Sequence, residues 1–461
     1  MRRTVVVNYP ASEKYTTDAL LAAFGEMLPD WTITTDKDKA AASRTADLQL
    51  CDYDELDWDA AAEPSCLTNA YIHRKALIRK NYLCMTIAHR LAKHPESILA
   101  QTVPKTYPFQ ITHADELDVL FFDELYDLAQ AIDHLGQGTL ESERKWWILK
   151  PALADKGQGI RLFDSKDSLQ AILASFEDDS DDEYDERIAG ADQSTKVNLS
   201  AMRDWVIQEY VSFPLLIDPL ESTRTSTTRA GRKFHLRVYA LAVGALQVYV
   251  FTDILALFAS SSYIFPTHPS VHEDSGDDLD LSGHLTNTCL QSDEDAQKAV
   301  FLLSDLVGRS ILSSSGERLD TLSQEQVRGV VHRIGQMIGE TFRAALGMPN
   351  HFTVVDNAFE VFGIDVLLSA NELGKKEVEI PIHLLEVNAC PDFKQTGTLL
   401  HNVIMDLFKG VIKLAVEPFF NRLDERGVTG RKDDAEWQVG EIRDSWLKCA
   451  DEHTLKSARP W

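Results

Sequence analysis

The chain has 461 residues, too many for one hydrophobic core, so two or three packed units are expected. Hydrophobic residues make up 44% and charged residues 26%, which excludes wholesale disorder, and 46 basic against 72 acidic residues leave a formal charge of −26. A surface that negative repels phosphate backbones and anionic lipid, so nucleic-acid binding is disfavoured outside a local basic groove.

The sequence holds no run of about eighteen apolar residues, so no membrane span is expected. The longest apolar stretch, 239–251, is broken by Gly244 and Gln247 and reads as two strands joined by a turn. The opening MRRTVVVNYP has too short an apolar core for a signal peptide. Cys51, Cys66, Cys84, Cys289, Cys390 and Cys449 form no C-x-x-C pair, so neither a zinc knuckle nor a disulfide framework is indicated. A cytoplasmic protein with reduced thiols is the expectation.

In chain order, residues 4–8 read as a strand, 17–28 as a helix, and 33–35 and 48–51 as further strands, a small alternating unit over 1–68. A central unit spans 69–215. It opens on a helix from Asn69 with a dense basic face of Arg74, Lys75, Arg79 and Lys80. Residues 115–135 alternate acidic and apolar residues as a surface helix would, and 146–163 reads as strand, glycine turn, strand. Residues 177–186 are eight acids in ten and read as a disordered loop, and 205–211 (WVIQEYV) reads as a strand.

The next unit spans 216–424. After a Thr/Ser/Arg linker at 222–232, KFHLRVYALAV pairs with LQVYVF, and a second acidic loop lies at 273–280. Ser323 and Gln326 resemble a capping box, before a helix that places Val327, Val330, Val331, Ile334 and Ile338 on one face. AFEVFGIDVLL and IPIHLLEVNA read as apolar strands, and a helix from His401 to about Phe420 closes the core. The tail, 425–461, is polar, although Trp437, Trp446 and Trp461 imply that parts of it dock.

Four clusters carry chemistry. Lys150 with the KGQG turn at 156–159 suits a phosphate-covering hairpin, although in isolation such a turn is more often only a turn. VIQEYV would present backbone groups to an adenine ring, or is simply a half-buried strand. Lys233, His235 and Arg237 alternate along one strand and share a face that looks onto either solvent or an anion. Asp365 lies in one apolar strand and Glu386 and Asn388 share a face of the next. Carboxylates there are costly to bury unless something positive holds them, and an all-oxygen cage for Mg²⁺ is favoured over a structural ion pair.

Taken in order, NAYIHRKALIRK, WWILKPALADKGQGI, VIQEYV-x-x-PLL, RKFHLRVYAL, HLTNTCLQ, FEVFGIDVLL and LLEVNACP resemble the layout of ATP-grasp ligases. More specifically they resemble the tubulin–tyrosine ligase and ligase-like family, in a fungal-type member. The resemblance implies an α/β (α+β) ATP-grasp fold, with a small N-terminal α/β domain, a central domain and a C-terminal mixed-sheet domain. It makes Lys75, Lys150 and Lys156 phosphate contacts, and Gln208, Glu209 and Val211 the adenine hinge. Lys233 would lie near the base, His235 at a ribose hydroxyl, and Thr286 and Asn287 near the ribose and phosphates. Arg237 would reach the terminal phosphate, and with Lys150 is the implied catalytic pair, while Asp365, Glu386 and Asn388 would hold Mg²⁺.

Two positions depart from the family. Its basic strand usually reads K-F-D-[IL]-R, with an Asp where this chain has His235. The following hairpin usually carries an arginine, and counted from Phe251 to Tyr263 that position is Leu257. Losing such a donor costs on the order of a hundredfold in rate. The implied function is an ATP- and Mg²⁺-dependent carboxylate–amine ligase that modifies a protein terminus or side-chain carboxylate through an acyl phosphate. The alternative is a weakened pseudo-ligase serving as an ATP-binding interaction scaffold. Charge disfavours the acidic tubulin tail as substrate, and the cytoplasm, its granules or the cytoskeleton is the implied location.

Overall fold

A computed structural model describes residues 2–35, 46–133, 145–153, 158–178, 203–221, 230–266, 281–286, 299–370, 380–389, 391–396, 400–424 and 437–452. Lys156, Asn287, Cys289, Cys390 and Trp461 lie outside the described residues, as do the acidic loops apart from Glu177 and Asp178. No helix among the described residues is long and apolar enough to cross a membrane.

The first sheet is parallel, ordered β2-β1-β3-β4, from β1 (Thr4–Asn8), β2 (Thr32–Thr34), β3 (Leu48–Cys51) and β4 (Leu67–Thr68). Alternation along TVVVN sends Val5 and Val7 to one face. There they meet Ala19, Leu20, Ala23 and Phe24 of helix α1 (Lys14–Met27). Beyond this sheet the expected single basic helix is broken. Lys75–Ile78 is one turn, Arg79 is extended (φ −100°, ψ 123°), and helix α2 (Lys80–Lys93) follows. The break turns Arg74 and Lys80 toward separate carboxylates, so the four basic residues do not form one solvated face.

The second sheet is antiparallel, ordered β5-β8-β6-β7, from β5 (Thr106–Gln110), β6 (Trp147–Pro151), β7 (Arg161–Phe163) and β8 (Asp204–Glu209). Trp147, Leu149, Trp205 and Ile207 enter a core shared with Leu169, Leu173 and Phe176 of helix α3 (Lys166–Asp178). Period-two alternation therefore turns Lys150 and Gln208 to the opposite face. Residues 115–135 are likewise not one helix but the short pieces Leu117–Leu120 and Tyr126–Asp133. Leu117, Phe121, Leu125 and Leu128 nonetheless all enter the same core.

The third sheet has eleven strands: β9 (Leu216–Ile217), β10 (Arg232–Val243), β11 (Gln247–Phe251), β12 (Leu255–Phe258), β13 (Val300–Leu302), β14 (Ser310–Leu312), β15 (Arg318–Thr321), β16 (Phe359–Leu368), β17 (Ile382–Ala389), β18 (Ile442–Arg443) and β19 (Trp446–Asp451). Strand β10 pairs with β16 from His235↔Leu367 to Val243↔Phe359, and β17 lies against β16. One face packs on helix α4 (Gln324–Leu346), whose buried residues include Val327, Val330, Val331, Ile334 and Ile338 and extend to Met337, Phe342 and Ala345. Ser323 Oγ accepts from Gln326 N at 3.1 Å and Gln326 Oε1 accepts from Ser323 N at 2.9 Å, a complete capping box. The other face packs on helix α5 (His401–Val411), which runs through a widened turn into Glu417–Asp424.

Part of the segment read as a tail docks, as its tryptophans implied: β19 pairs with β11 within this sheet and buries Trp446. Gly335 and Gly339 of α4 lie directly over Leu447 and Cys449. Any side chain at those positions would collide with β19. The mixed α/β architecture expected from the sequence is present.

Candidate active site

Lys233, His235 and Arg237 share one face of β10, and all three are buried, so that face does not look onto solvent. Across the sheet Arg237 registers with Asp365, and Asp365 with Glu386, while a β-bulge follows between Asp365 and Val366. The Arg237 guanidinium donates from Nε to Asp365 Oδ1 at 2.6 Å and from Nη2 to Oδ2 at 3.3 Å. Gly363 gives it room: a Cβ there would stand 3.4 Å from Arg237 Cδ and 2.8 Å from Pro391 Cβ. Asn388 Nδ2 donates to Glu386 Oε1 at 3.3 Å and lies 3.5 Å from Asp365 Oδ2. The β16–β17 ladder thus collects two carboxylates and an amide at one point.

Two lysines reach this point from outside the third sheet. Lys80, the first residue of α2, places Nζ 3.2 Å from Glu386 Oε2. Lys150, on the outward face of the second sheet, donates to Gln208 Oε1 at 2.8 Å, and Gln208 Nε2 donates to Thr106 Oγ1 at 3.1 Å. A small cavity of about 20 Å³, lined largely by apolar side chains such as Leu83, Ile87 and Leu384, lies beside Lys80, Lys150 and Gln208.

At the other end of the face Lys233 Nζ donates to Tyr210 Oη at 3.1 Å and lies 4.4 Å from the centre of that ring. Tyr210 Oη in turn lies 2.9 Å from His284 Nδ1. His235 Nδ1 lies 2.6 Å from Thr286 Oγ1. Its Nε2, 3.7 Å from Asp365 Oδ1, is buried without a hydrogen-bond partner among the described residues.

Burial sets the charges. Desolvation, with Arg237 adding repulsion, pushes His235 down to about 3, so its imidazole is neutral. Desolvation also lowers Lys150 to about 8, and lowers Lys233, with Lys150 repelling it, to about 7. Burial opposes charge on Arg237, but the Asp365 carboxylate outweighs it and holds the guanidinium pKa above its ordinary value. Asp365 and Glu386 titrate as a pair. Burial raises Asp365 despite Arg237, whereas Lys80 and Lys150 overcome burial at Glu386 and hold it well below the usual carboxylate range.

The structure therefore brings together Lys150, Gln208, Lys233, His235, Arg237, Thr286, Asp365, Glu386 and Asn388. Glu209 faces outward beside Lys145 at 3.4 Å, and Val211 is half-buried just past β8. Lys75 is exposed on its single turn. Lys80, left out of the site read from the sequence, contacts Glu386 instead. Its signal was the break at Arg79, which propensity does not reveal. The two departures also coincide: His235 and Leu257 are registered partners on β10 and β12 and share a face. The Asp and Arg of the family pattern would add one anion and one cation at that rung, so this chain's neutral pair leaves the net charge there unchanged.

The donor set suits a hard cation. Among the described residues no three His, Cys, Asp or Glu side chains form a metal cluster. Two carboxylates and an amide, with phosphate and water oxygens completing the shell, nonetheless match what Mg²⁺ takes beside a nucleotide. The buried cations Lys150, Lys233 and Arg237 and the orphan His235 Nε2 fit a polyanion carrying hydroxyl groups.

The model of the tubulin-tyrosine ligase family matches residues 62–424. The chain belongs to that family. A probable tubulin–tyrosine ligase of Schizosaccharomyces pombe is 35% identical over 438 residues, covering 93% of this chain and 94% of the relative. A second, PBY1 of Saccharomyces cerevisiae, is 37% identical over 382 residues, covering 80% of this chain but 46% of the relative. Among solved structures, the C-terminal domain of K. lactis Pby1 superposes with a TM-score of 0.62 at 27% identity, covering 99% of this chain and all of that one. That protein is described as an ATP-grasp enzyme interacting with the mRNA decapping enzyme Dcp2. The fold of this family member is accordingly ATP-grasp.

Proposed function

We propose that this family member is an ATP-dependent carboxylate–amine ligase acting on a protein. The observation that carries the reading is the convergence of Lys80, Lys150, Lys233 and Arg237 with Asp365, Glu386 and Asn388 between the second and third sheets. Asp365, Glu386 and Asn388 would hold Mg²⁺, which would supply positive charge against the phosphates. Lys150 holds the phosphate chain, Gln208 keeps Lys150 aimed, and Lys233 lies near the base. Arg237, anchored by Asp365, stands where negative charge grows on the transferring phosphoryl group. A substrate carboxylate oxygen attacks the terminal phosphorus as the bond to ADP breaks. An amine nitrogen then attacks the acyl carbon, the phosphate leaves with the bonding pair, and the amine proton is released. Positioning and charge carry this sequence, and no protein nucleophile enters it.

A second reading, an ATP-binding scaffold, is favoured by the neutral His235–Leu257 rung and by the Dcp2 interaction described for K. lactis Pby1. Either role goes with action in the cytoplasm. The net charge of −26 argues for a neutral or basic acceptor terminus over an acidic tubulin-like tail. The test measures melting temperature with Mg-ATP, then phosphate release with mixed amino acids and acidic or basic acceptor peptides, for the wild type and Glu386→Gln. A ligase shows a wild-type thermal shift and acceptor-dependent release, both lost in the variant while its nucleotide-free stability holds. A shift without release selects the scaffold, and no shift overturns both.

A further inference from the structure

We propose that Lys80 is the counter-ion that occupies the candidate metal site when nucleotide is absent, making metal uptake depend on nucleotide. The inference rests on the nucleotide-site reading above. Both carboxylates of the site are already neutralised: Lys80 Nζ stands 3.2 Å from Glu386 Oε2, and Arg237 Nε 2.6 Å from Asp365 Oδ1. A divalent cation arriving alone meets carboxylates that have partners and two cations that repel it. A nucleotide changes the balance, because its phosphates give the lysine another anion and free Glu386.

Lys80 is the movable member of the two. Its ammonium rides a flexible four-carbon stem at the first residue of α2, with the chain extended at Arg79 just before it. The Arg237 fork is instead clasped bidentate within the sheet. Lys80 re-aims by side-chain rotation alone, with β16 and β17 unmoved. Linkage then requires that nucleotide tighten metal binding and metal tighten nucleotide binding by the same factor.

Mn²⁺ binding, followed by the electron paramagnetic resonance signal of the free ion, tests this with and without a non-hydrolysable ATP analogue. In Lys80→Met, Mn²⁺ alone is expected to bind on the order of tenfold tighter than in the wild type, and the enhancement by the analogue to shrink correspondingly. Lys80→Arg, which keeps the charge, should retain the weak metal-only binding. Unchanged or weaker Mn²⁺ binding by Lys80→Met, with or without a lowered melting temperature, makes Lys80 a staple between α2 and β17 and overturns the proposal alone. If the wild type binds neither Mn²⁺ nor the analogue when both are supplied, the nucleotide-site reading falls and this inference with it.

Discussion

Strand β16 carries two buried carboxylates on opposite faces, each gripped by an arginine. On one face Glu360 accepts from Arg74 Nη1 at 2.6 Å and from Tyr71 N at 3.0 Å, and the Arg74 guanidinium lies 3.9 Å from the centre of the Tyr53 ring. On the other, Asp365 is clasped by Arg237, but a second carboxylate, an amide, two lysines and an imidazole with a bare Nε2 crowd around it. The first pair is closed, both carboxylate oxygens being held by residues of one short segment, which it staples to the sheet. The second cluster brings more charge and more hydrogen-bonding capacity than its own contacts use. Such excess is what a binding site needs and a staple does not.

The largest expected effect breaks the staple. Arg74→Met leaves Glu360 buried without its cation and should cost about 3–5 kcal/mol in urea denaturation at pH 8. Burial already raises Glu360 to about 7 with Arg74 present. A pKa above the unfolded value means the native state binds more protons, so acid favours it, and the deficit should shrink at pH 5. An equal deficit at both pH values would show that Glu360 is not the group left unpaired.

A second experiment sharpens the other side of β16. Leu257→Arg places a cation on a buried rung and should cost about 3 kcal/mol, whereas adding His235→Asp across that rung should recover about 1–3 kcal/mol. Additive losses in the double-mutant cycle would mean that the two departures from the family pattern are independent.

The smallest effect concerns pH. Lys150 and Lys233, lowered by desolvation to about 8 and about 7, are partly neutral near pH 8. A polyanion favours their charged forms, so nucleotide binding takes up protons and weakens as pH rises from 7 to 9, on the order of tenfold. Calorimetry in two buffers of different ionisation enthalpy counts those protons. Uptake of none would mean that the nucleotide does not contact these lysines.

Much of this was legible in the sequence because it depends on alternation. Lys233, His235 and Arg237 share a face because the strand period is two, and the same rule turned Lys150 and Gln208 away from the tryptophans of their sheet. The Ser323 capping box and the buried stripe of α4 follow equally from local spacing. Features set by distant partners were not legible. On either side of the break at Arg79, Arg74 and Lys80 meet Glu360 and Glu386, carboxylates about three hundred residues away in the chain. Likewise nothing near Leu257 announces that it stands opposite His235, since only the β10–β12 register reveals it.

Strand β19 has a consequence for the order of assembly. Strand β11 is translated with its outer edge bare, and it stays so until residues 446–451 emerge some two hundred positions later to pair with it. Through that interval Val248 and Val250 lie beside an unsatisfied ladder, and the face of α4 cut for Leu447 and Cys449 at Gly335 and Gly339 has nothing to pack against. Until β19 arrives this edge stays open to other strands, and pairings this distant are slow to close. Closure of the β11 edge of the sheet, though not the direct pairing of β10 with β16, therefore waits on this distant strand.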